Sequence, residues 1–173
     1  EGYRNLLNDR LHVYHTSQPV VVVRTARMER DFAEGEFEVN DYIYNERARE
    51  YELVPVRFVG EGYDATEVLG DFVEVWYRYN ERTRENEVVY LEVNENYNKI
   101  EGIVEEADRN RELKLENGRT YNIRSVNVYR DNIENAEIKK GDYVSITVDK
   151  SNNVRFVDAF DLEVNDHTDT LDV

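Results

Sequence analysis

A chain of 173 residues is long enough to bury a core of its own, as one domain or two small ones. Thirty-eight acidic against 22 basic residues give a formal charge of −16, a surface that repels phosphate backbones and anionic lipid and argues against nucleic acid as a partner. The absence of cysteine excludes disulfides, thiol catalysis and thiolate metal sites, and the longest apolar run, Pro19 to Val23, is far short of a membrane span.

Leu6, Leu7 and Leu11 fit the apolar side of a short N-terminal helix, while residues 11–15 equally fit the start of a strand. The run from Pro19 to Val23 is β-branched and predicts a strand with both faces at least partly covered, with Pro19 at its start or on an edge because proline has no donor for a ladder. On an edge, a strand this apolar needs cover from its own chain or a neighbouring subunit. Val20, Val21, Val22 and Val23 are therefore the first candidates for an assembly face.

Phe37 and Val39, then Tyr42 and Tyr44, suggest a hairpin turning through Asn40 and Asp41, followed by a charged loop or single helical turn at 45–50. Residues 51–59 read as a strand interrupted at Pro55, which argues for an edge or a bulge. A loop at 60–71 leads into a strong strand at 72–79. Its period of two sends Val73, Val75, Tyr77 and Tyr79 inward, and Phe72, Glu74, Trp76 and Arg78 outward. An outward Trp76 is expected to meet the other module, another subunit or a glycan-like ring.

From Lys99 to Phe160 apolar and polar residues alternate at Leu113 and Leu115, Tyr121 and Ile123, Val126 and Val128, Tyr143 to Val148, and Val154 and Phe156. The fold class is therefore all-β, with two tandem small antiparallel barrel or sandwich modules. The tandem reading comes from an internal similarity. With Gly70 set on Gly141, Phe72 falls on Tyr143, Val73 on Val144, Val75 on Ile146 and Tyr77 on Val148. The expected organisation is an N-terminal segment at 1–23, available as an edge or exchanged strand, modules at 24–94 and 99–160, and an acidic tail at 161–173.

No pattern of catalytic residues stands out, and an enzyme is not expected. None of Ser17, Ser125, Ser145 and Ser151 sits in a G-x-S-x-G elbow, and His12, His15 and His167 form no H-E-x-x-H. The two Gly-Asp pairs read as turns that open a strand, since glycine accepts a positive φ. Asp64, Glu67 and Asp71 near the first turn, and Asp131, Glu134 and Asp142 near the second, are candidates for weak cation contacts. They lack the spacing of a built calcium loop, so no cofactor is expected beyond adventitious calcium. On the second module's strand Tyr143 turns outward and joins Trp76 as a candidate for a binding or assembly face.

Gly102 to Val104, Leu113 and Leu115, Asn117–Gly118, Tyr121 to Ile123, and Lys140–Gly141–Asp142–Tyr143–Val144 follow one another as G-x-V, a strand, an N-G turn, a second strand and K-G-D-x-V. This block resembles the small β-barrel repeats of cell-surface and surface-layer-associated proteins of Gram-positive and related bacteria. The resemblance implies an extracellular building or spacer module with structural rather than catalytic residues. A first residue other than Met fits a processed or trimmed chain, which permits secretion without showing it; the location expected from the resemblance is extracellular or the cell surface. The expectation is thus a structural protein that assembles with copies of itself into a surface layer or filament through strand edges and aromatic faces. The alternative is a module that binds a glycan or another surface protein.

Overall fold

The computed structural model describes residues 12–16 and 18–162. The short helix expected around Leu6 to Leu11 and nearly all of the acidic tail lie outside the described residues. The fold is all-β, and the chain divides into two compact units, Glu1–Asn94 and Glu95–Val173.

The first unit contains β1 (Tyr14–His15), β2 (Val20–Thr25), β3 (Glu36–Asn45), β4 (Glu50–Val59), a single 3-10 turn at Ala65–Val68, β5 (Phe72–Asn80) and β6 (Glu85–Val93). The strand order is β1-β5-β2-β3-β4-β6, and β6 also pairs with β5. That last pairing closes β2, β3, β4, β6 and β5 into a five-stranded barrel, and closure removes the free borders that an open sheet would expose. All contacts in the ring are antiparallel except β4 with β6, and β5 returns to lie beside β2, as in a Greek key.

Two expectations change here. Val20 to Val23 do not form an edge or exchanged strand. β2 is paired with β3 on one side and β5 on the other, and its four valines are between 0% and 7% exposed. A boundary after residue 23 would cut this strand between Val23 and Arg24. The apolar run is explained by burial on both faces within its own barrel. The hairpin expected through Asn40 and Asp41 is also absent. β3 runs straight through them, pairing Asn40 with Pro55 and Asp41 with Val54, and the chain reverses only after Asn45.

The interior is where period two places it. Val73 and Val75 from β5 meet Val20 and Val22, Phe37 and Val39, and Phe58, with the rings of Phe37 and Phe58 stacked at 5.4 Å. A bulge between Trp76 and Tyr77 ends the simple alternation. Tyr77 is half-buried against Phe58, and Tyr79, expected inside, is 48% exposed. Phe72, expected outside, is buried beside Val21.

The second unit contains β7 (Asn98–Asp108), β8 (Glu112–Leu115), β9 (Thr120–Asn122), β10 (Asn127–Arg130), β11 (Ile133–Glu134), β12 (Tyr143–Val148) and β13 (Val154–Phe160). They form one seven-stranded sheet in the order β11-β10-β13-β12-β7-β8-β9. β9 ends one side of this sheet, while β10 lies near the other side, paired in parallel with β13. Only residues 123–126 separate them, and a chain spans at most about 3.3–3.6 Å per residue. The sheet must therefore curl until the ends of β9 and β10 lie within about 17 Å of each other. Val104, Leu113, Leu115, Ile123, Ile138, Val144 and Ile146 fill the space this encloses. If β9 and β10 are counted as one interrupted strand, the order matches that of the first barrel.

Both Gly-Asp pairs are turns, with φ of 81° at Gly70 and 91° at Gly141. Asp142, proposed as a cation contact, is engaged within the fold. It is 2% exposed, takes both ends of the Arg130 guanidinium at 2.7 and 3.0 Å, and accepts the Lys139 amide at 2.8 Å. This bidentate pair ties β10 to the start of β12.

Candidate functional site

The barrel does not use all of the strand length in the first unit. β3 is paired with β2 only as far as Asn40, and β4 meets β6 only at Phe58 and Val59. Beyond those points β3 and β4 pair with each other alone, through Tyr44 and Tyr51 to Asn45 and Glu50. The result is a two-stranded arm. On the β3 side five residues, Asp41 to Asn45, extend past the last ring contact, roughly 17 Å at ~3.4 Å per residue.

The register sorts the arm's side chains by face. Tyr42 opposes Leu53 and Tyr44 opposes Tyr51, and directly opposed residues share a face. These four are 53%, 52%, 48% and 67% exposed, and the rings of Tyr44 and Tyr51 meet edge to face at 5.2 Å. Ile43 opposes Glu52 on the other face. One side of the arm is therefore an uncovered aromatic strip, which water solvates poorly and a partner surface covers well.

The arm's tip has a specific construction. Tyr44 to Glu52 reads YNERAREYE, and Tyr79 to Glu87, at the β5–β6 turn, reads YNERTRENE. In the first turn Asn45 Oδ1 accepts the amides of Arg47 and Ala48 at 3.0 and 3.2 Å, while Nδ2 donates to Glu52 at 2.9 Å. In the second, Asn80 Oδ1 accepts the amides of Arg82 and Thr83 at the same distances, and Nδ2 donates to Glu87 at 3.1 Å. Arg49 and Arg84 take φ of 55° and 60° as the chain reverses. β3 and β5 both run antiparallel to β2, so the two turns project from the same end of the barrel. The repeated Tyr-Asn-Glu-Arg-x-Arg-Glu signals this feature in the sequence, although reading each copy as an unrelated charged loop hides it.

Trp76 lies on the barrel's outer face, half-buried by its own chain. His15 of β1 stacks on it at 4.1 Å and Tyr90 of β6 lies 5.3 Å away. His15 and Tyr90 are its cross-strand partners on either side. His15 Nε2 also lies 3.3 Å from the Glu74 carboxylate, two residues along the same face. Nearer the barrel mouth, burial raises the Asp41 carboxyl above its ordinary value, and burial followed by the charges of Asp41 and Tyr14 raises the Tyr77 hydroxyl.

The remaining candidates do not converge. Tyr143 is half-buried on a strand flanked by β7 and β13, and burial, followed by its contact with Glu101, raises its hydroxyl pKa. Asp64 caps the 3-10 turn by accepting the Thr66 amide and hydroxyl at 2.9 and 2.6 Å. These bonds hold its carboxyl below the usual value. Asp131 accepts the Asp161 amide at 3.0 Å. Among the described residues no group of three or more His, Asp or Glu is placed to hold a metal ion, and no helix is long and apolar enough to cross a membrane. Val20 to Val23 being interior, the exposed apolar side chains among the described residues include five on the arm, Tyr42, Ile43, Tyr44, Tyr51 and Leu53. Compared with known proteins, the chain matches no family model and no curated sequence.

Proposed function

We propose that this protein is a structural module that associates with copies of itself through the β3–β4 arm, in an extracellular or cell-surface setting. The observation that carries the reading is the strip of Tyr42, Tyr44, Tyr51 and Leu53 on a hairpin whose strands have no ladder partner beyond the ring except each other. The edge of β3 is self-complementary. Paired antiparallel with itself about Ile43, it sets Tyr42 against Tyr44 and Asp41 against Asn45, with no like charges opposed. Strand addition of this kind satisfies the edge amides and extends the aromatic face across two molecules. Pairing through β3 alone closes a dimer, whereas additional pairing through the outer edge of β4 propagates a filament or layer. Pro55 lies along that second edge, where a missing donor restricts register. The shared strand order of the two units is read as a duplication in which only the first copy acquired an arm.

The net charge of −16 opposes assembly at low ionic strength. Light scattering is therefore expected to give a mass that rises with salt, toward about 1 M, where the screening length falls to about 3 Å. Tyr42→Pro, which removes an outward-facing amide of the β3 edge, and the pair Tyr42→Ser with Tyr44→Ser, which removes the strip, are each expected to leave a monomer with unchanged Trp76 fluorescence. A particle that stays monomeric at high salt and high concentration would refute the reading.

A second reading is favoured by the ladder of His15, Trp76 and Tyr90. Three neighbouring rings, His15 stacked on Trp76 and Tyr90 tilted beside it and 57% exposed, suit contact with a neutral sugar. Quenching of Trp76 by oligosaccharide, without a change in mass, is the result that would favour it.

A further inference from the structure

The second unit contains a cleft of about 540 Å³ where its curled sheet comes together. Between β9, paired to β8, and β10, paired to β13, residues 123–126 belong to neither ladder. The break leaves a hollow floored by Ile100, Val126, Val154 and Tyr121. Arg119 and Arg124 line it too, as do Asn152 and Asn153 from the β12–β13 turn. The volume falls in the range of small-molecule sites, roughly 300–1,000 Å³.

The chemistry of this hollow departs from the rest of the chain. No carboxylate lines it, although acidic residues outnumber basic ones 38 to 22. Neither guanidinium has an ion-pair partner among the described residues. Both arginines are positioned through their backbones instead. Asn117 Oδ1 accepts the Arg119 amide at 2.8 Å and Asn122 Oδ1 accepts the Arg124 amide at 3.0 Å. The Tyr121 hydroxyl provides a separate indication. The residue is 7% exposed and its oxygen is buried with no hydrogen-bond partner, a condition that folded proteins rarely leave unmet.

We propose that this cleft binds a phosphomonoester carried on a hydroxylated ring, a sugar phosphate or a nucleoside monophosphate. The guanidinium forks match the tetrahedral oxygens of a phosphate. The apolar floor takes one face of the ring, and the Asn152 amide offers a donor and an acceptor to ring hydroxyls. A long polyanion does not fit, because it would leave this short basic rim and run over an acidic surface.

The test is calorimetric titration of the full chain with glucose monophosphate and uridine monophosphate, with glucose, uridine and inorganic phosphate as controls. The two phosphomonoesters distinguish the sources, and binding of either supports the site. The double variant Arg119→Met, Arg124→Met is expected to weaken binding by at least about tenfold, since charge-assisted bonds are the strong ones. Tyr121→Phe is expected to weaken it severalfold while leaving the melting temperature unchanged or raised, since the hydroxyl has no partner in the fold; an unchanged affinity would remove the hydroxyl from the site. Circular dichroism confirms that each variant is folded. The proposal is overturned if neither phosphomonoester binds at millimolar concentration, if the double variant binds as tightly as the parent, or if inorganic phosphate binds as well as the esters.

Discussion

The two units share a strand order and a way of filling their cores, yet they present different surfaces. Of the twelve large apolar residues that are exposed among those described, eleven belong to the first unit and one, Ile133, to the second. Five of the eleven, Tyr42, Ile43, Tyr44, Tyr51 and Leu53, follow from strand length. β3 and β4 have ten residues each, while β8, in the place of β3, has four. A five-stranded ring needs only a few residues per strand to enclose its core. Length beyond that cannot be buried internally, so in the first unit it becomes an arm, whereas the second unit stops at closure. The second unit is held instead by a polar device. Arg130, whose pKa is raised further by its bonds to Asp142, lies within ion-pair distance of Asp131 and Asp161 as well.

This contrast can be broken by substitutions that act on one unit at a time. Trp76 is the only tryptophan and reports on the first unit, while far-ultraviolet circular dichroism reports on both. The largest effect is expected from Arg130→Met, which leaves the Asp142 carboxylate buried without its partner at a cost of about 3–5 kcal/mol. The dichroism midpoint in urea should fall while the Trp76 midpoint holds. A matched loss in both would mean that the units unfold as one. Next come the equivalent core positions, each 0% exposed. Ile146→Ala is expected to remove about 2–5 kcal/mol from the second unit, and Val75→Ala roughly 2 kcal/mol from the first. Only Val75→Ala should move the fluorescence transition, and the reverse assignment would contradict the separation of the cores.

The smallest effect concerns pH. Asp149 in the β12–β13 turn accepts the Asn153 and Ser151 amides, each at 2.9 Å, and lies 3.6 Å from Arg155. The Asn153 bond, with help from the others, holds its carboxyl below the ordinary 3.8. A group with a depressed folded value contributes stability that is fully present above its unfolded value, near pH 4, and lost as the pH falls through the folded value. The melting temperatures of the parent and Asp149→Asn should therefore differ at pH 5 and converge as the pH falls through the depressed folded value. A gap that is unchanged over that interval would remove Asp149 from the acid response.

Much of the scaffold was legible because alternation is a local property. Val73, Val75, Val144, Ile146 and Val148 face inward in strands wherever the sheet closes, and Gly70 and Gly141 mark turns whatever follows them. The candidate site was less legible. Tyr42 and Tyr44 alternate as any half-buried strand does, and nothing nearby in the chain states that the facing layer is missing. Val20 to Val23 failed as a predicted joint for the converse reason, since hydrophobicity demands a cover without naming the residues that supply it.

The sequence by itself determined which segments are extended and which side chains at the centre of the strands seek the interior, because these depend on neighbours one to four positions away, but not how far β3 runs before it reverses. The tertiary structure alone decided that β6 would close the ring against β5, that Arg130 would find Asp142, and that His15 would lie on Trp76. Each is a contact between distant residues, chosen by the geometry that closes a barrel.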